Sequence, residues 1–193
     1  MGSAATALAP ALARALSLHH SWMSLRPESA ADLDFVVALY TSTRWEELAP
    51  VDWPEEAKRA FLDQQGRLQH EHYLKHYADA EMLLIVAEGP QPADRHWPDP
   101  AATQRQLIGR IYLRSGSTEI RLMDIALLPE HRSQGIGRCL IEALLSEGAQ
   151  RGLQITLHVE PNNPAQRLYQ RLGFELIEQR GVYDFLGFPG VSA

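Results

Sequence analysis

The stretch RSQGIGRCL, Arg132 to Leu140, places two glycines at the start of an apolar helical pattern. Glycine inside a helix costs about 1 kcal/mol relative to alanine, so Gly135 and Gly137 need a reason. A helix N-terminus carries unpaired N–H groups and a partial positive charge, and glycines leave these groups open to an anion. The stretch therefore predicts a phosphate-binding turn that opens a helix ending near Arg151.

The apolar pattern outward from this turn predicts alternating strands and helices. Strands are predicted at 23–27, 82–87, 107–113, 119–128, 154–159, 174–178 and 182–188, and helices at 29–40, 55–77, 136–151 and 163–172. Three consecutive strands pair antiparallel, and the strand–helix–strand unit over 119–159 requires a right-handed parallel crossover. We therefore expect an α/β (α+β) domain over 23–193, with a mixed sheet and helices on both faces. Residues 1–22 are expected to form a loose or partly helical extension, and 89–102 a proline-rich loop.

The composition limits the classes of partner. The 193 residues are 45% hydrophobic and carry a net charge of -6, which disfavours general binding to nucleic acid. No apolar run is long enough to span a bilayer, and the N-terminus lacks the early basic cluster of a secretory signal. Cys139 is the single cysteine and is expected to be a small buried residue. We expect a cytoplasmic protein without nucleic-acid or membrane partners, as a monomer or homodimer.

Two common phosphate loops do not match the glycine turn. A P-loop needs Gly-Lys-Ser/Thr, but Arg138 and Cys139 follow Gly137, and a dinucleotide fingerprint needs a small residue where Leu140 stands. The arrangement Arg132-x-x-Gly-x-Gly137 instead resembles the acetyl-CoA pyrophosphate loop of the GCN5-related N-acetyltransferase (GNAT) superfamily. The alternative is that the glycines only allow the helix to pack closely on the strand.

A second motif lies beyond the next strand. NNPAQRLYQRLGF, Asn162 to Phe174, resembles the Asn-x-x-Ala-x-x-Leu-Tyr-x-x-x-Gly-Phe signature of the same superfamily. As a capped helix it would start at Asn163, with Gln166 completing a capping box and Gly173 ending it. Asn162 is not needed as a cap, which leaves its amide free for a ligand. The two motifs in this order indicate membership of the superfamily.

The resemblance implies a fold and a cofactor. The fold is a mostly antiparallel sheet of six to seven strands whose central parallel pair splays apart, and the cofactor is acetyl-CoA, whose pantetheine arm enters that gap. Tyr169 would be the general acid for the leaving thiolate, or else only a core residue. The implied cofactor-binding residues are Ala126, Leu127, Leu128, Arg132, Ser133, Gln134, Gly135, Ile136, Gly137, Arg138, Asn162, Ala165 and Tyr169.

The resemblance leaves the general base open. Glu119 and Asp124 on the central strand rank first, and His158 and Glu160 on the next strand are further candidates. Alternation puts Glu119 on the opposite face from Asp124 unless a bulge intervenes. Arg121 stands where histone-modifying relatives carry a glutamate, so that base is not carried over.

The acceptor site implied by the resemblance combines aromatic residues from the first two helices and the last hairpin. These are Trp45, Tyr73, Tyr77 and Tyr183. Carboxylates near Glu46 and Glu55 make this region acidic, which favours a primary amine of a small cationic metabolite. A protein N-terminus, as in ribosomal-protein acetyltransferases, and a non-catalytic acetyl-CoA sensor are the alternatives. His72 and His76 lie one turn apart, but no third ligand is evident and no metal is predicted.

Overall fold

A seven-stranded sheet lies at the centre of the computed structural model, which describes residues 7–88 and 105–188. The strand order is β1-β2-β3-β4-β5-β7-β6. The strands are β1 Met23–Pro27, β2 Glu81–Ala87, β3 Gln106–Ser115, β4 Glu119–Leu127, β5 Gln154–Val159, β6 Glu175–Arg180 and β7 Tyr183–Phe188. The described helices are α1 Ala9–His19, α2 Leu33–Arg44, α3 Glu55–His76, α4 Ile136–Arg151 and α5 Gln166–Arg171. The predicted fold class is confirmed, while the predicted loop 89–102 falls outside the described residues.

The central pair of strands is parallel and short. β4 pairs with β5 only from Glu119 opposite Gln154 to Leu122 opposite Leu157, and every other neighbouring pair is antiparallel. Beyond Leu122 the two strands separate, so the remaining residues of β4 have no strand on that side. This is the splayed pair that the resemblance implies.

A bulge interrupts β4 at the point where the strands separate. Leu122 faces Leu113 of β3, but the next pair joins Asp124 to Tyr112, so Met123 is an extra residue. A bulge of one residue moves everything after it to the opposite alternation.

The bulge decides which face of the sheet carries Asp124. Simple alternation would have put its side chain opposite those of Glu119 and Arg121, whereas the bulge brings all three to one face. The structure thus has the bulge that would make an exception to simple alternation.

The N-terminal segment belongs to the main core. Leu8, Leu12 and Leu16 are completely buried in the same apolar cluster as the sheet and α4. The carboxylate of Glu81 accepts hydrogen bonds from the backbone N–H groups of Leu8 (2.7 Å) and Ala9 (2.9 Å) and so fixes the start of α1. Of the two alternatives, loose or partly helical, the structure has the helical one over α1, and this helix packs into the core. Leucines four residues apart form its apolar stripe within an alanine-rich segment.

Truncating Leu12 tests this packing. We expect Leu12→Ala to lower the free energy of unfolding by about 2–5 kcal/mol, because a completely buried leucine leaves a cavity. Leu18→Ala is the matched control on the same helix; it should change stability by less than about 0.5 kcal/mol, because Leu18 is 83% exposed. Urea unfolding of both variants measures the difference. Equal stabilities would show that α1 does not contribute to the core.

Two features of the helices go beyond the sequence pattern. α2 continues past its predicted end at residue 40 to Arg44, and α3 runs without a break through Gly66, where an added Cβ would lie 3.1 Å from the ring of Tyr40. Glycine at this point allows the two helices to pack closely without interrupting α3. Within the two described ranges, no helix combines the length and the apolar character needed to cross a membrane.

Candidate functional site

A cavity of about 310 Å³ lies in the gap between β4 and β5. Its lining is mixed in chemistry and includes Arg44, Tyr73, Tyr77, Arg121, Asp124, Ile125, His158, Glu160, Asn163, Tyr169 and Tyr183. The structure thus brings together five residues predicted for catalysis or acceptor binding: Tyr73, Tyr77, Asp124, Tyr169 and Tyr183. Trp45 is not part of the lining, and the guanidinium of Arg59 lies 5.4 Å from its ring centroid. Glu119 is not part of the lining either, and its carboxylate pairs with Arg121, which is.

The glycine turn exposes the first backbone N–H groups of α4. Gly135 has φ +83° and Ser133 φ +58°, both in the left-handed region, and α4 begins at Ile136. The first hydrogen bond of the helix runs from the N–H of Cys139 to the carbonyl of Gly135. The N–H groups before it have no acceptor among the described residues, as expected at the start of a helix, and can bind an anion.

Packing does not explain the second glycine. A Cβ built on Gly137 would come no closer than 4.0 Å to another group, the Cδ1 atom of Ile125, and one built on Gly135 would meet nothing within 4 Å. The alternative that the glycines allow close strand–helix contact is therefore wrong. Gly135 is required by its positive φ, but Gly137 has helical geometry and space for a side chain. An open surface at Gly137 suits a ligand that approaches the backbone.

Three polar side chains of the turn are bound to the protein itself. Arg132 donates to the carbonyl of Leu127 (2.9 Å), Gln134 to that of Glu130 (2.6 Å), and Arg138 pairs with Glu142 (2.8 Å). These contacts orient the turn and leave its backbone N–H groups as the part that is open to an anion.

The free edge of β4 offers fewer donors than predicted. The N–H of Leu128 donates to the carbonyl of Ile108 at 2.9 Å, so Leu128 is not available to a ligand. Because N–H groups alternate between the two edges of a strand, Ala126 also faces β3, whereas Ile125 and Leu127 present their N–H groups to the gap. Of the three predicted backbone N–H groups, those of Ala126, Leu127 and Leu128, only that of Leu127 faces the gap. The N–H of Ile125, which was not predicted, faces it too.

The second motif forms a shorter helix than predicted. α5 begins at Gln166 and not at Asn163, whose side chain accepts a hydrogen bond from the N–H of Ala165 (2.9 Å). The side chain of Gln166 binds Asp184 (2.7 Å) on β7, so the predicted capping box is absent. Asn162 is exposed, and no described residue accepts or donates a hydrogen bond to its amide.

Tyr169 projects from α5 into the cavity. Its side chain is 5% exposed and packs edge-to-face on Phe174, with the ring centroids 5.6 Å apart. No described residue hydrogen-bonds its phenol, which leaves the hydroxyl available to a ligand. Burial and then the negative charge of Asp124 raise the pKa of Tyr169 above its ordinary value, so the phenol is protonated at neutral pH.

Arginines bind the three candidate carboxylates. Arg110 is 2% exposed and forms a bidentate pair with Asp124 (both 3.0 Å). Arg121 donates to Glu119 at 2.6 Å, and Thr156 donates to the other oxygen at 2.7 Å. Arg44 donates to both oxygens of Glu160, at 2.8 and 2.9 Å.

A carboxylate whose lone pairs accept from a guanidinium is poorly placed to take a proton. His158 is different, because its imidazole is exposed to the cavity and stacks on Phe185 (4.7 Å between centroids) without a hydrogen bond to any described residue. Partial burial, followed by the charges of Arg121 and Arg180, lowers the pKa of His158 below its ordinary value of 6.5. The imidazole is therefore neutral at pH 7 and able to accept a proton.

Two of the three histidines of α3 form a ring contact. The centroids of His72 and His76 are 4.5 Å apart, and Tyr77 lies 5.9 Å from His72. In the described part of the chain, no three His, Cys, Asp or Glu side chains come together in a way that could hold a metal ion.

A comparison with known protein families identifies the family to which this fold belongs. The family model described as Acetyltransferase (GNAT) family matches residues 41–174, more than two thirds of the chain. The chain belongs to the GNAT acetyltransferase family. Members of this family use acetyl-CoA. Membership confirms the family that the two motifs indicated.

Individual relatives are more distant. A [ribosomal protein bS18]-alanine N-acetyltransferase of Haemophilus influenzae is 32% identical over 79 residues, which are 40% of this chain and 54% of that protein. The match thus spans about half the length of this relative. The PaiA N-acetyltransferase of Thermoplasma acidophilum in complex with coenzyme A has a TM-score of 0.56 at 19% identity and covers 86% of this chain and 98% of its own. A domain from Methanocaldococcus jannaschii reaches 0.58 at 13% identity, with 86% and 97% covered. These two structures support the GNAT fold.

Proposed function

We propose that this GNAT protein transfers the acetyl group of acetyl-CoA to a primary amine. The continuity between the glycine turn and the cavity carries the proposal. Ile125 lines the cavity, and its Cδ1 lies 4.0 Å from the Cβ position of Gly137. A single cofactor can therefore reach from the turn to Tyr169 along the free edge of β4.

The cofactor would be held mainly by backbone groups. Its diphosphate would accept hydrogen bonds from the N–H groups of Ile136, Gly137 and Arg138, where the helix dipole favours negative charge. Leu127 and Ile125 would bind the pantetheine arm as an added strand, and Asn162 would contact it from the other side of the gap.

Proton removal from the acceptor falls to His158 in this proposal. An alkyl ammonium has a pKa near 10, so most of the acceptor arrives unable to attack. The neutral imidazole of His158 takes one proton from the ammonium in an uphill transfer, since the ammonium is the weaker acid, and the small fraction of free amine attacks the thioester carbonyl. The C–N bond forms, the C–S bond breaks, and the second amine proton goes to the thiolate. Asp124 and Glu119, ranked first from sequence, hold Arg110 and Arg121 in place.

Tyr169 would act on the leaving group as a hydrogen-bond donor. A thiol has a pKa near 8.5, well below the raised pKa of Tyr169, so complete proton transfer from phenol to thiolate is uphill. Donation of a hydrogen bond to the developing thiolate still lowers the barrier, because it acts on charge that appears only as the C–S bond breaks.

The acceptor we propose is a small cationic metabolite with one amine. A volume of about 310 Å³ suits a small molecule. Tyr73, Tyr77 and Tyr183 present aromatic rings that attract a cation. Asp124 and Glu160 are each compensated by an arginine, so no lining carboxylate is left for a second ammonium group.

A protein N-terminus is the second candidate acceptor. The 32% identity to an enzyme named for alanine acetylation on ribosomal protein bS18 favours it specifically. A peptide would present one α-ammonium group, which the cavity also suits.

A panel of acceptors tests both candidates. Monoamines, polyamines and an alanine-terminated peptide are incubated with acetyl-CoA and the protein, and release of free thiol is followed. We expect small monoamines to give the highest rates, with N-acetylated peptide as the inactive control. Turnover with the alanine peptide alone would support the second candidate against the first. Thiol release that no acceptor raises above hydrolysis would contradict the transferase proposal.

A further inference from the structure

One uncharged polar side chain of the cavity is held in place by a buried arginine. Gln69 of α3 lines the cavity, and its Oε1 atom accepts a hydrogen bond of 2.7 Å from Nη2 of Arg110 on β3. A guanidinium has donors only, so the oxygen of the Gln69 amide must be the atom that faces it. The NH2 group of the amide therefore points away from Arg110.

Arg110 is itself fixed by its surroundings. Its Nε and Nη2 atoms donate to the two oxygens of Asp124, both at 3.0 Å, and its Cζ atom lies 4.9 Å from the ring centroid of Tyr112. The side chain is 2% exposed, and moving a buried charge away from its partner is costly. Because Arg110 stays where it is, the amide of Gln69 keeps a single orientation.

The NH2 group of Gln69 is open to a ligand. No residue in the described part of the chain accepts a hydrogen bond from it, and the side chain is only partly buried at the cavity wall. An amide N–H binds a hydroxyl, ether or carbonyl oxygen, but it cannot bind an ammonium group, which also only donates. Gln69 therefore offers the acceptor a site for an oxygen atom.

A site for the cation lies next to it on the same helix. Tyr73 follows Gln69 by four residues on α3, which places the two side chains on one face of the helix, and both line the cavity. The ring of Tyr73 can attract an ammonium group, while the amide of Gln69 binds an oxygen. The wall that α3 contributes thus suits a molecule that carries both groups.

We propose that the acceptor amine carries an oxygen atom that accepts a hydrogen bond, and that Gln69 selects for this oxygen. The inference rests on the proposed function and narrows the acceptor from primary amines in general to those with a hydroxyl, ether or carbonyl group. Two sources share this chemistry: a small oxygenated amine, and the first peptide carbonyl of a protein N-terminus.

The test compares two acceptors that differ in one group. Methoxyethylamine has an ether oxygen where n-butylamine has a methylene group, and the ratio of their kcat/KM values is measured for each protein. The amines differ in pKa, but this difference contributes equally to every protein and cancels when the ratios are compared. An alanine-terminated peptide is measured relative to n-butylamine in the same way.

Two variants remove the donor in different ways. Gln69→Glu keeps an oxygen for Arg110 but lacks the NH2 group, and Gln69→Met lacks both. Each should lower the ratio for methoxyethylamine by about tenfold, the effect of one hydrogen bond. Gln64→Glu makes the same change at an exposed position of α3 outside the cavity and should keep the wild-type ratios. Calorimetry with CoA should give the wild-type affinity for all three variants, which shows that they are folded.

The outcomes separate the two sources and the two levels of the proposal. A fall for methoxyethylamine supports a small oxygenated amine, and a fall for the peptide alone identifies the carbonyl of a protein N-terminus as the oxygen that Gln69 binds. Unchanged ratios for both acceptors in both Gln69 variants overturn the inference and leave the proposed transfer standing. Absence of transfer to every amine by the wild-type protein overturns the proposed function itself.

Discussion

Replacing Gly137 with glutamate should weaken CoA binding by at least about 100-fold, which corresponds to about 2.7 kcal/mol. The new side chain would cover the N–H groups that α4 presents and would add a negative charge where the diphosphate is proposed to bind. Isothermal titration calorimetry with CoA measures the loss. Gln150→Glu is the matched control, because it places the same charge at the exposed far end of the same helix, and its affinity should equal that of the wild type.

Gly137→Ala distinguishes an effect on CoA binding from an effect on stability. The Cβ has 4.0 Å of clearance, and alanine favours a helix over glycine by about 1 kcal/mol, so this variant should be as stable as the wild type or more stable. Its CoA affinity should nevertheless fall, by about tenfold, because the methyl group keeps the phosphate away from the backbone. Unchanged CoA affinity in both the alanine and the glutamate variants would contradict the assignment of the turn.

Features of the fold that depend on local pattern could be predicted from the sequence. The run 82–87 is short and apolar, and the structure has β2 over Glu81–Ala87. Gly173 was expected to end α5, and it has φ +89° just after the last helical turn. Such signals lie within a few residues of the element they determine, so no knowledge of tertiary contacts is needed.

Features that depend on distant contacts could not be derived in this way. The bulge at Met123 exists because of how Asp124 and Tyr112 pair across two strands, and no signal in β4 alone marks it. The packing of α1 on the core was not predicted, because alanine dominates its composition. Its leucines are buried in one cluster with residues of α4, which lies more than a hundred residues later in the chain.

The candidate site likewise has parts that could be predicted from the sequence and parts that could not. The two motifs predict its backbone groups, but the choice of base depends on ion pairs that the sequence does not reveal. Arg44 and Glu160 are 116 residues apart, and Arg110 pairs with Asp124 across neighbouring strands. Without those contacts a carboxylate ranks above a histidine as base; with them, we propose His158.

Tyr169→Phe should lower kcat by about 100-fold while leaving CoA affinity within a factor of about two. The variant loses the hydrogen bond to the developing thiolate, but the ring still packs on Phe174, and no described residue loses a hydrogen-bond partner. Steady-state kinetics with the best acceptor and calorimetry with CoA measure the two quantities. Tyr40→Phe, which removes a hydroxyl outside the cavity, is the matched control and should keep the wild-type kcat.

The pH dependence of kcat tests the role of Tyr169 independently. The raised pKa of Tyr169 means that its protonated form persists above pH 10, the ordinary range for a phenol. Wild-type kcat should therefore show no loss from this group between pH 8 and pH 10, and should fall only at higher pH, provided that the fold survives there. A phenylalanine cannot ionise, so Tyr169→Phe should lack that fall entirely. A variant with wild-type kcat would show that Tyr169 only packs, and a wild-type protein that binds CoA without turning over any amine would favour the acetyl-CoA sensor over the enzyme.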